Sequence, residues 1–333
     1  MLSRSPARLI FPALPCVVVS ILLALVLAAC GQSPASASSA PAPGTEKPTV
    51  VCTTGMVADL VRRVGGDRVR VIGLMGEGVD PHLYKASPGD VRLLSDAAGV
   101  FYNGLHLEGK MGDILENLAR RKPVIPIAAK LPESRLRSPP QFAGNHDPHV
   151  WFDVSLWALT IPEVEAGLTR VDPAGAQEFA QRARALEGEL AALHQEVLKQ
   201  AGAIPADKRV LVTAHDAFGY FAIAYGFEVH GIQGISTESE ASLKDINSLV
   251  DLLVARKIPA VFVESSVPRK MVDALVEGAA ARGHAVRVGG QLFSDAMGRD
   301  GTPEGTYPGM VRHNVKTIVD ALAAPAANPG GAP

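Results

Sequence analysis

The sequence predicts an α/β protein of two lobes, each with a central, mostly parallel sheet flanked by helices, joined by a single long α-helix. Three observations support this fold class. The chain has 333 residues, of which 47% are hydrophobic, which is enough for two compact units with sizeable cores. Short apolar runs typical of strands alternate with helical patterns, which is the order of a parallel sheet. One helical pattern near the middle is unusually long.

The elements of the two lobes follow from this alternation. In the first lobe, predicted over 48–171, strand-like runs cover 48–54, 68–74, 99–103 and 122–128, and helical patterns cover 56–64 and 90–97. In the second lobe, predicted over 203–323, strands are expected at 209–213, 228–232, 260–264 and 284–288, and helices at 216–225, 243–257, 270–282 and 307–322.

The long helix is predicted over 172–202. Asp172 and Pro173 suit an N-cap and a first helical position. At about 1.5 Å per residue, a helix of roughly 28 residues reaches about 40 Å. Its apolar spacings of four and three also suit a coiled coil, but they cover barely four heptads between two α/β units. We therefore interpret it as a rigid helix packed along both lobes through Phe179, Ala183, Leu186, Leu190, Leu193 and Val197.

The N-terminus predicts export. Residues 1–29 combine two arginines, an apolar stretch and small residues before Cys30, as in a secretory signal peptide. The Leu-Ala-Ala-Cys sequence resembles a bacterial lipobox, which implies a lipid on Cys30. The alternative is an uncleaved membrane anchor. Residues 30–47 are predicted to be a flexible Ser/Ala/Pro-rich tether, and residues 324–333 a disordered tail. In either case the folded part lies outside the cytoplasmic membrane, in the periplasm or at the cell surface.

Composition excludes some classes of partner. Lys and Arg total 32 against 34 Asp and Glu, without a long basic run, so we expect no nucleic acid ligand. Aromatic residues are only 5%, which argues against a stacking platform for bases or sugars. Of the three cysteines, Cys16 leaves with the signal and Cys30 carries lipid. Cys52 then has no partner for an intramolecular disulfide and is predicted to be buried.

Four polar side chains are candidate metal ligands. His82 and His149 each follow an Asp-Pro pair, His215 lies between the end of a predicted strand and the start of a helix, and Asp295 follows the last strand. Loops at strand ends are where open α/β sheets place ligands. Imidazole nitrogen with carboxylate oxygen suits Zn²⁺ or Mn²⁺. The spacing alone is not diagnostic, because each histidine taken singly also suits a hydrogen-bonded loop residue.

A family resemblance narrows the possibilities. The chain resembles the metal-binding lipoproteins of bacterial zinc/manganese ABC importers, the solute-binding proteins of the TroA/ZnuA-like class, and is most similar to the TroA type. The similarity spans about 48–323, through the motifs DPHLYKASPGD (80–90), NGLHLEGKM (103–111), HDPHVWFDV (146–154), TAHDAFGYFAIAYGFEVHGIQGISTESEAS (213–242), PAVFVESSVP (259–268), GGQLFSDAMG (289–298) and EGTYPGMVRHNVKTIV (304–319).

The resemblance implies a site and a cargo. The family ligands fall on His82, His149, His215 and Asp295. The cargo would be one divalent ion, delivered to a cognate ABC permease by a lipid-anchored protein that we expect to be a monomer. The stretch 131–145 lacks the histidines of many zinc importers, whereas manganese members often have Glu where this chain has His215. Zinc and manganese therefore both remain open.

Other polar residues carry weaker expectations. Glu264 ends a predicted strand, where it would either orient a ligand histidine from outside the coordination sphere or be a surface acid. Asp147 and Asp216 are expected to cap helices or loops. His146, three residues before His149, is either an alternative metal ligand or solvent-exposed, and we favour solvent exposure. Structural or surface roles are expected for His106, His194, His230, His284 and His313.

Three other functions compete with metal transport. A metal-dependent hydrolase needs an open coordination position and a general base, and the sequence shows no nucleophile motif. A surface adhesin would explain the anchor but not the histidines. A siderophore- or corrinoid-binding lipoprotein would need aromatic and Arg residues in its cleft. We therefore expect no enzymatic activity.

Overall fold

The computed structural model describes residues 46–142 and 144–323. The predicted signal peptide over 1–29, Cys30, nearly all of the 30–47 tether and the tail over 324–333 lie outside these residues. No helix within the described ranges combines the length and apolarity needed to cross a membrane.

A four-stranded parallel sheet organises the N-terminal half, by which we mean the chain before the long helix. Its strands have the spatial order β2-β1-β3-β4 and lie within the predicted runs. They are β1 (Thr49–Cys52), β2 (Arg70–Gly73), β3 (Gly99–Tyr102) and β4 (Val124–Pro126). Because all four strands are parallel, the loops at their carboxyl ends meet at one edge of the sheet.

Within the described part of this half, five helices accompany the sheet, and the sequence pattern did not predict three of them. The two predicted ones are α1 (Gly55–Gly65) and α2 (Pro88–Asp96). Ser87 and Asp90 form a capping box at the start of α2, which satisfies backbone N–H groups of its first turn. The unpredicted ones are α3 (Gly112–Ala119), α4 (Val154–Ala158) and α5 (Ile161–Val171).

The long helix α6 spans Ala176–Gly202 and follows a 3₁₀ turn over Pro173–Gly175. The predicted start at Asp172 is therefore a few residues early, and the Asp172 carboxylate accepts a hydrogen bond from Arg68 Nε at 2.7 Å. All six predicted apolar positions of this helix are buried. The helix contacts α1, α4 and α5 on the N-terminal side and helices of the C-terminal half on the other. Packing within one chain thus accounts for its apolar stripe without a coiled coil.

The C-terminal half contains two parallel strand pairs. Strand β5 (Val210–His215) pairs with β6 (Glu228–Gln233), and β7 (Ala260–Glu264) pairs with β8 (Arg287–Leu292), while β5 lies beside β7. Strand β8 begins three residues after the predicted start at 284 and continues through Gly289 to Leu292. A Cβ at Gly289 would lie 2.8 Å from the Cβ of Ala321, so close packing requires this glycine inside the strand.

Four helices complete this half up to residue 323, where the described residues end. They are α7 (Gly219–Tyr225), α8 (Leu243–Ala255), α9 (Lys270–Ala281) and α10 (Tyr307–Ala323). Helix α7 begins three residues after the predicted start at 216, because Asp216 and its neighbours form a turn beyond β5. Cys52 is a buried free thiol, as predicted. The predicted lobe boundaries at 171 and 203 stay predictions, since the described residues all belong to one compact unit.

Candidate metal centre

The four candidate ligands converge at one buried point. His82 and His149 come from loops of the N-terminal half, His215 is the last residue of β5, and Asp295 lies in the loop after β8. Their exposed fractions are 3%, 0%, 0% and 1%. One ligand atom from each side chain lies within 4.8 Å of the other three. Side chains from both halves of the chain therefore share one polar pocket.

The separations suit a single tetrahedral ion. The Nε2 atom of His149 lies 3.3 Å from that of His82 and 3.4 Å from that of His215. Asp295 Oδ1 lies 3.2 Å from His149 Nε2, and Asp295 Oδ2 lies 3.3 Å from His215 Nε2 and 3.8 Å from His82 Nε2. Four ligands about 2.0–2.1 Å from a zinc ion would be separated by about 3.3–3.4 Å along the edges of a tetrahedron.

The Asp295 carboxylate also indicates a cation. It is almost fully buried, and neither oxygen has a hydrogen bond of good geometry from the described residues. A buried charge without partners is costly. The nearest polar atoms are the imidazole nitrogens, which are themselves ligands for divalent transition metals. A dication at the centre would satisfy both sets of atoms at once.

Carboxylates behind the histidines orient two of the rings. His149 Nδ1 lies 2.8 Å from Asp147 Oδ1, and His215 Nδ1 lies 2.5 Å from Glu264 Oε2. A carboxylate can only accept, so Nδ1 carries the proton and the Nε2 lone pair of the neutral ring faces the other ligands. The His215 backbone N–H also donates to Glu264 Oε1 at 2.9 Å. Glu264 is 3% exposed, which rules out the alternative of a surface acid.

The repeated Asp-Pro-His pattern is a local turn. In each copy the aspartate Oδ1 accepts a hydrogen bond from the histidine backbone N–H two residues later, at 2.8 Å for Asp80 and 3.0 Å for Asp147. This is the geometry of an Asx turn. From the sequence we expected only a capping role for Asp147, and its contact with the His149 ring was missed. The repeat of the Asp-Pro-His pattern was the one sequence feature that pointed to a role for this aspartate. The other Asp147 oxygen pairs with the guanidinium of Arg137.

The electrostatics separate His82 from the other two histidines. Burial lowers the pKa of His82 to about 3. Burial also acts to lower the pKa of His149, but its hydrogen bond to Asp147 and the nearby Asp295 carboxylate raise it to about 9. For His215, the Glu264 and Asp295 carboxylates likewise outweigh burial and hold the pKa well above its usual value. Burial acts to raise the pKa of Asp295, but the adjacent imidazoles of His215 and His149 keep it well below its usual range. A metal ion must therefore displace protons from His149 and His215.

The remaining histidines lie outside this cluster. His146 is half-buried rather than solvent-exposed, and its Nδ1 lies 2.8 Å from Ser138 Oγ. His106 is exposed. Each of the other four has a hydrogen-bonding partner away from the cluster: Tyr225 for His194, Glu228 for His230, Ile258 for His284 and Gln291 for His313. Asp216 is half-buried beside the cluster, and burial raises its pKa.

Comparison with known proteins identifies the family. A family model described as zinc-uptake complex component A, periplasmic (ZnuA), matches residues 50–321. The chain belongs to the ZnuA family. A solved structure with the same fold, the periplasmic zinc-binding protein TroA from Treponema pallidum, aligns with a TM-score of 0.81 and 50% identity over 83% of this chain and 99% of TroA.

Relatives within the ZnuA family carry names for both metals. The zinc-binding protein TroA of Treponema pallidum (strain Nichols) is 51% identical over 277 residues, 83% of this chain and 89% of the relative. The manganese-binding lipoprotein MntA of Bacillus subtilis (strain 168) is 47% identical over 296 residues, 89% of this chain and 95% of the relative. A more distant relative from Streptococcus pneumoniae, 28% identical over 92% of this chain and 97% of its own length, is named a manganese ABC transporter substrate-binding lipoprotein, PsaA.

Proposed function

We propose that this protein is an extracytoplasmic solute-binding lipoprotein that captures one Zn²⁺ or Mn²⁺ ion and delivers it to an ABC permease. The ligands are His82, His149, His215 and Asp295. Membership of the ZnuA family and the names of its relatives support the transport role. Lipid attachment at Cys30, a monomeric state and a cognate permease belong to the same proposal.

One observation carries the ligand assignment. Three imidazoles and one carboxylate, all buried, present ligand atoms at separations close to the edges of a small tetrahedron. A bound dication explains why a carboxylate without hydrogen-bond donors is buried against three imidazoles. Neutral ligands with one aspartate leave a charge of about +1 around a dication. The carboxylates of Asp147 and Glu264, behind two of the rings, offset this charge.

The donor set suits both candidate metals. Three nitrogens favour zinc in intrinsic affinity, since zinc lies above manganese in the stability order of divalent ions. Each Asp295 oxygen lies within 3.3 Å of an imidazole nitrogen, so the carboxylate can supply one or two oxygens to the ion. Oxygen ligands are those that manganese prefers. Selection in the cell then depends on which metal is available as well as on affinity.

A metal titration tests the proposal. Mature protein stripped with a chelator is titrated with Zn²⁺ or Mn²⁺ in the calorimeter, and the bound metal is counted by elemental analysis. We expect one ion per chain for the wild type. His215→Ala should weaken zinc binding by more than about 100-fold, because it removes a ligand rather than an outer partner. His313→Ala is the matched control, since its ring nitrogen contacts the Gln291 carbonyl oxygen, away from the site.

Three outcomes would contradict the proposal. Equal zinc affinity in the wild type and His215→Ala would remove His215 from the site. Turnover of an ester or peptide by the metal-loaded wild type, lost in His215→Ala, would favour a metal-dependent hydrolase over a binding protein. Attachment to a host surface that is unchanged in His215→Ala, in a chain that binds no metal, would favour a surface adhesin.

A further inference from the structure

The metal centre is enclosed differently on its two sides. On one side His149 contacts the ring of Trp151 at 5.2 Å between centroids, and Trp151 Nε1 donates to the Ser294 carbonyl oxygen at 3.1 Å. The Tyr307 hydroxyl donates to the Trp151 carbonyl oxygen at 2.6 Å. Trp151 and Tyr307 are fully buried. This side therefore joins the two halves through packed aromatic rings and water-excluded hydrogen bonds.

The His82 side is different, because a cavity reaches it. His82 lines a cavity of about 320 Å³ together with His106, Lys110, Ser236 and Glu238. His82 is the most exposed of the four candidate ligands, at 3%. A cavity of this size holds several water molecules, so a hydrated ion can approach here without disturbing the aromatic side.

His82 is also held less directly than the other two histidines. Among the described residues, no carboxylate accepts from its Nδ1, whereas Asp147 and Glu264 lie against the rings of His149 and His215. The position of His82 depends instead on its backbone N–H, which donates to Asp80 Oδ1 at 2.8 Å. Whatever holds Asp80 therefore also positions His82.

Asp80 is held by a residue of the opposite half. The Thr237 hydroxyl, in the segment after β6, donates to Asp80 Oδ2 at 2.6 Å. Thr237 is 8% exposed, so this hydrogen bond to a carboxylate is largely shielded from water. The next residue, Glu238, pairs with Lys110 at 2.7 Å, but both side chains are more than a third exposed. Exposed ion pairs contribute little to stability. The hydrogen bond from Thr237 is therefore the stronger of these two contacts between the halves beside the cavity.

We propose that the metal ion enters and leaves on the His82 side, and that Thr237 is a positioning residue whose hydrogen bond to Asp80 sets the dissociation rate. Breaking this bond frees Asp80 and the backbone of His82 without disturbing the other three ligands. The ion then loses one ligand while the aromatic side stays closed. This inference rests on the proposed metal-binding function.

Dissociation kinetics test the role of Thr237. Mature protein carrying one Zn²⁺ is mixed in a stopped-flow instrument with excess chromophoric chelator, at concentrations where the rate no longer depends on chelator. Thr237→Val keeps the side-chain shape but removes the donor, and we expect dissociation to be about 10-fold faster or more. Thr237→Ser restores the hydroxyl and should return the rate to within about threefold of the wild type. Ser239→Ala, at an exposed position of the same segment that does not line the cavity, should leave it unchanged.

A second variant tests the route. Gly109 lines the same cavity, and a Cβ placed there meets no atom within 4 Å. Gly109→Phe should narrow the cavity and slow association and dissociation together, by a similar factor, so that the affinity changes little. Gly188→Phe is the control, because Gly188 is an exposed position of α6 that is equally open.

The outcomes separate this inference from the proposed function. A wild type that binds no zinc would refute the proposed function itself. One bound zinc with equal dissociation rates in the wild type and Thr237→Val would refute only the role of Thr237. So would Ser239→Ala accelerating release as much as Thr237→Val. Unchanged rates in Gly109→Phe would refute the route. Urea unfolding of the metal-free variants shows whether a faster release merely reflects lost stability.

Discussion

Replacing Glu264 by glutamine tests how strongly an outer carboxylate controls the metal site. Glu264 accepts two hydrogen bonds from His215, one from the ring at 2.5 Å and one from the backbone at 2.9 Å. Glutamine has nearly the same shape, but its single oxygen can replace only one of the two carboxylate oxygens, and its NH₂ group would face the other donor. The substitution also removes the negative charge that strengthens His215 as a ligand.

We expect a loss of about 10- to 100-fold in zinc affinity at neutral pH, or ~1.4–2.7 kcal/mol. In the metal-free protein, Glu264 also raises the pKa of His215. It therefore stabilises the protonated ring, and the metal must displace this proton in order to bind. The Glu264→Gln substitution should lower this pKa and weaken the competition. The loss of affinity should therefore be larger at pH 9 than at pH 6.5.

Chelator competition at both pH values measures these affinities, and NMR titration of the metal-free protein reports the pKa of His215. The matched control is Asp59→Asn, which neutralises a buried carboxylate on α1 whose charged neighbours are Arg62, Arg63 and Glu189. It should leave zinc affinity within about twofold of the wild type. The reasoning is wrong if Glu264→Gln binds zinc as tightly as the wild type at both pH values, or if Asp59→Asn loses as much affinity.

Three further outcomes are expected. Because His149 and His215 hold protons in the metal-free state, zinc affinity should fall by up to about 100-fold for each pH unit lowered below pH 8, and equal calorimetric affinities at pH 7.5 and 6.5 would contradict this. Free zinc at about 1,000 times its dissociation constant should raise the free energy of unfolding by about 4 kcal/mol, and a chelator should abolish the gain in a thermal melt. Leu190→Ala, which empties a fully buried position of α6, should cost about 2–5 kcal/mol in urea unfolding while one zinc still binds.

Sequence patterns predicted the elements that have strong local signals. Strands β1 to β4 have short apolar runs, and α6 has a long apolar stripe that ends near Gly202. Helix α5 was missed because Pro162, in its first turn, is easily taken for a loop residue, although proline is well tolerated there. Strand β8 extends past the predicted range into Gly289, a residue type that is unfavourable in strands but is required here by close packing against Ala321.

The sequence indicated the roles of some residues of the candidate site and not those of others. The repeated Asp-Pro-His pattern and the positions after strands made the four residues candidates, and the family resemblance implied them as the ligand set, because the spacing alone is not diagnostic. The contact between Glu264 and His215 follows from the ends of β7 and β5 lying side by side. The hydrogen bond from Thr237 to Asp80 joins residues 157 positions apart, and no local pattern encodes it. Such contacts depend on how the two halves meet, which only the folded chain shows.

The length of α6 constrains the site even though this helix supplies none of its four side chains. The helix links the half that carries His82 and His149 to the half that carries His215 and Asp295. Inserting one residue would rotate everything beyond it by about 100° and shift it by about 1.5 Å. Metal ligands tolerate displacements of only about 0.2 Å. Natural insertions and deletions should therefore collect in the surface loops of this family and be rare within the 27 residues of α6.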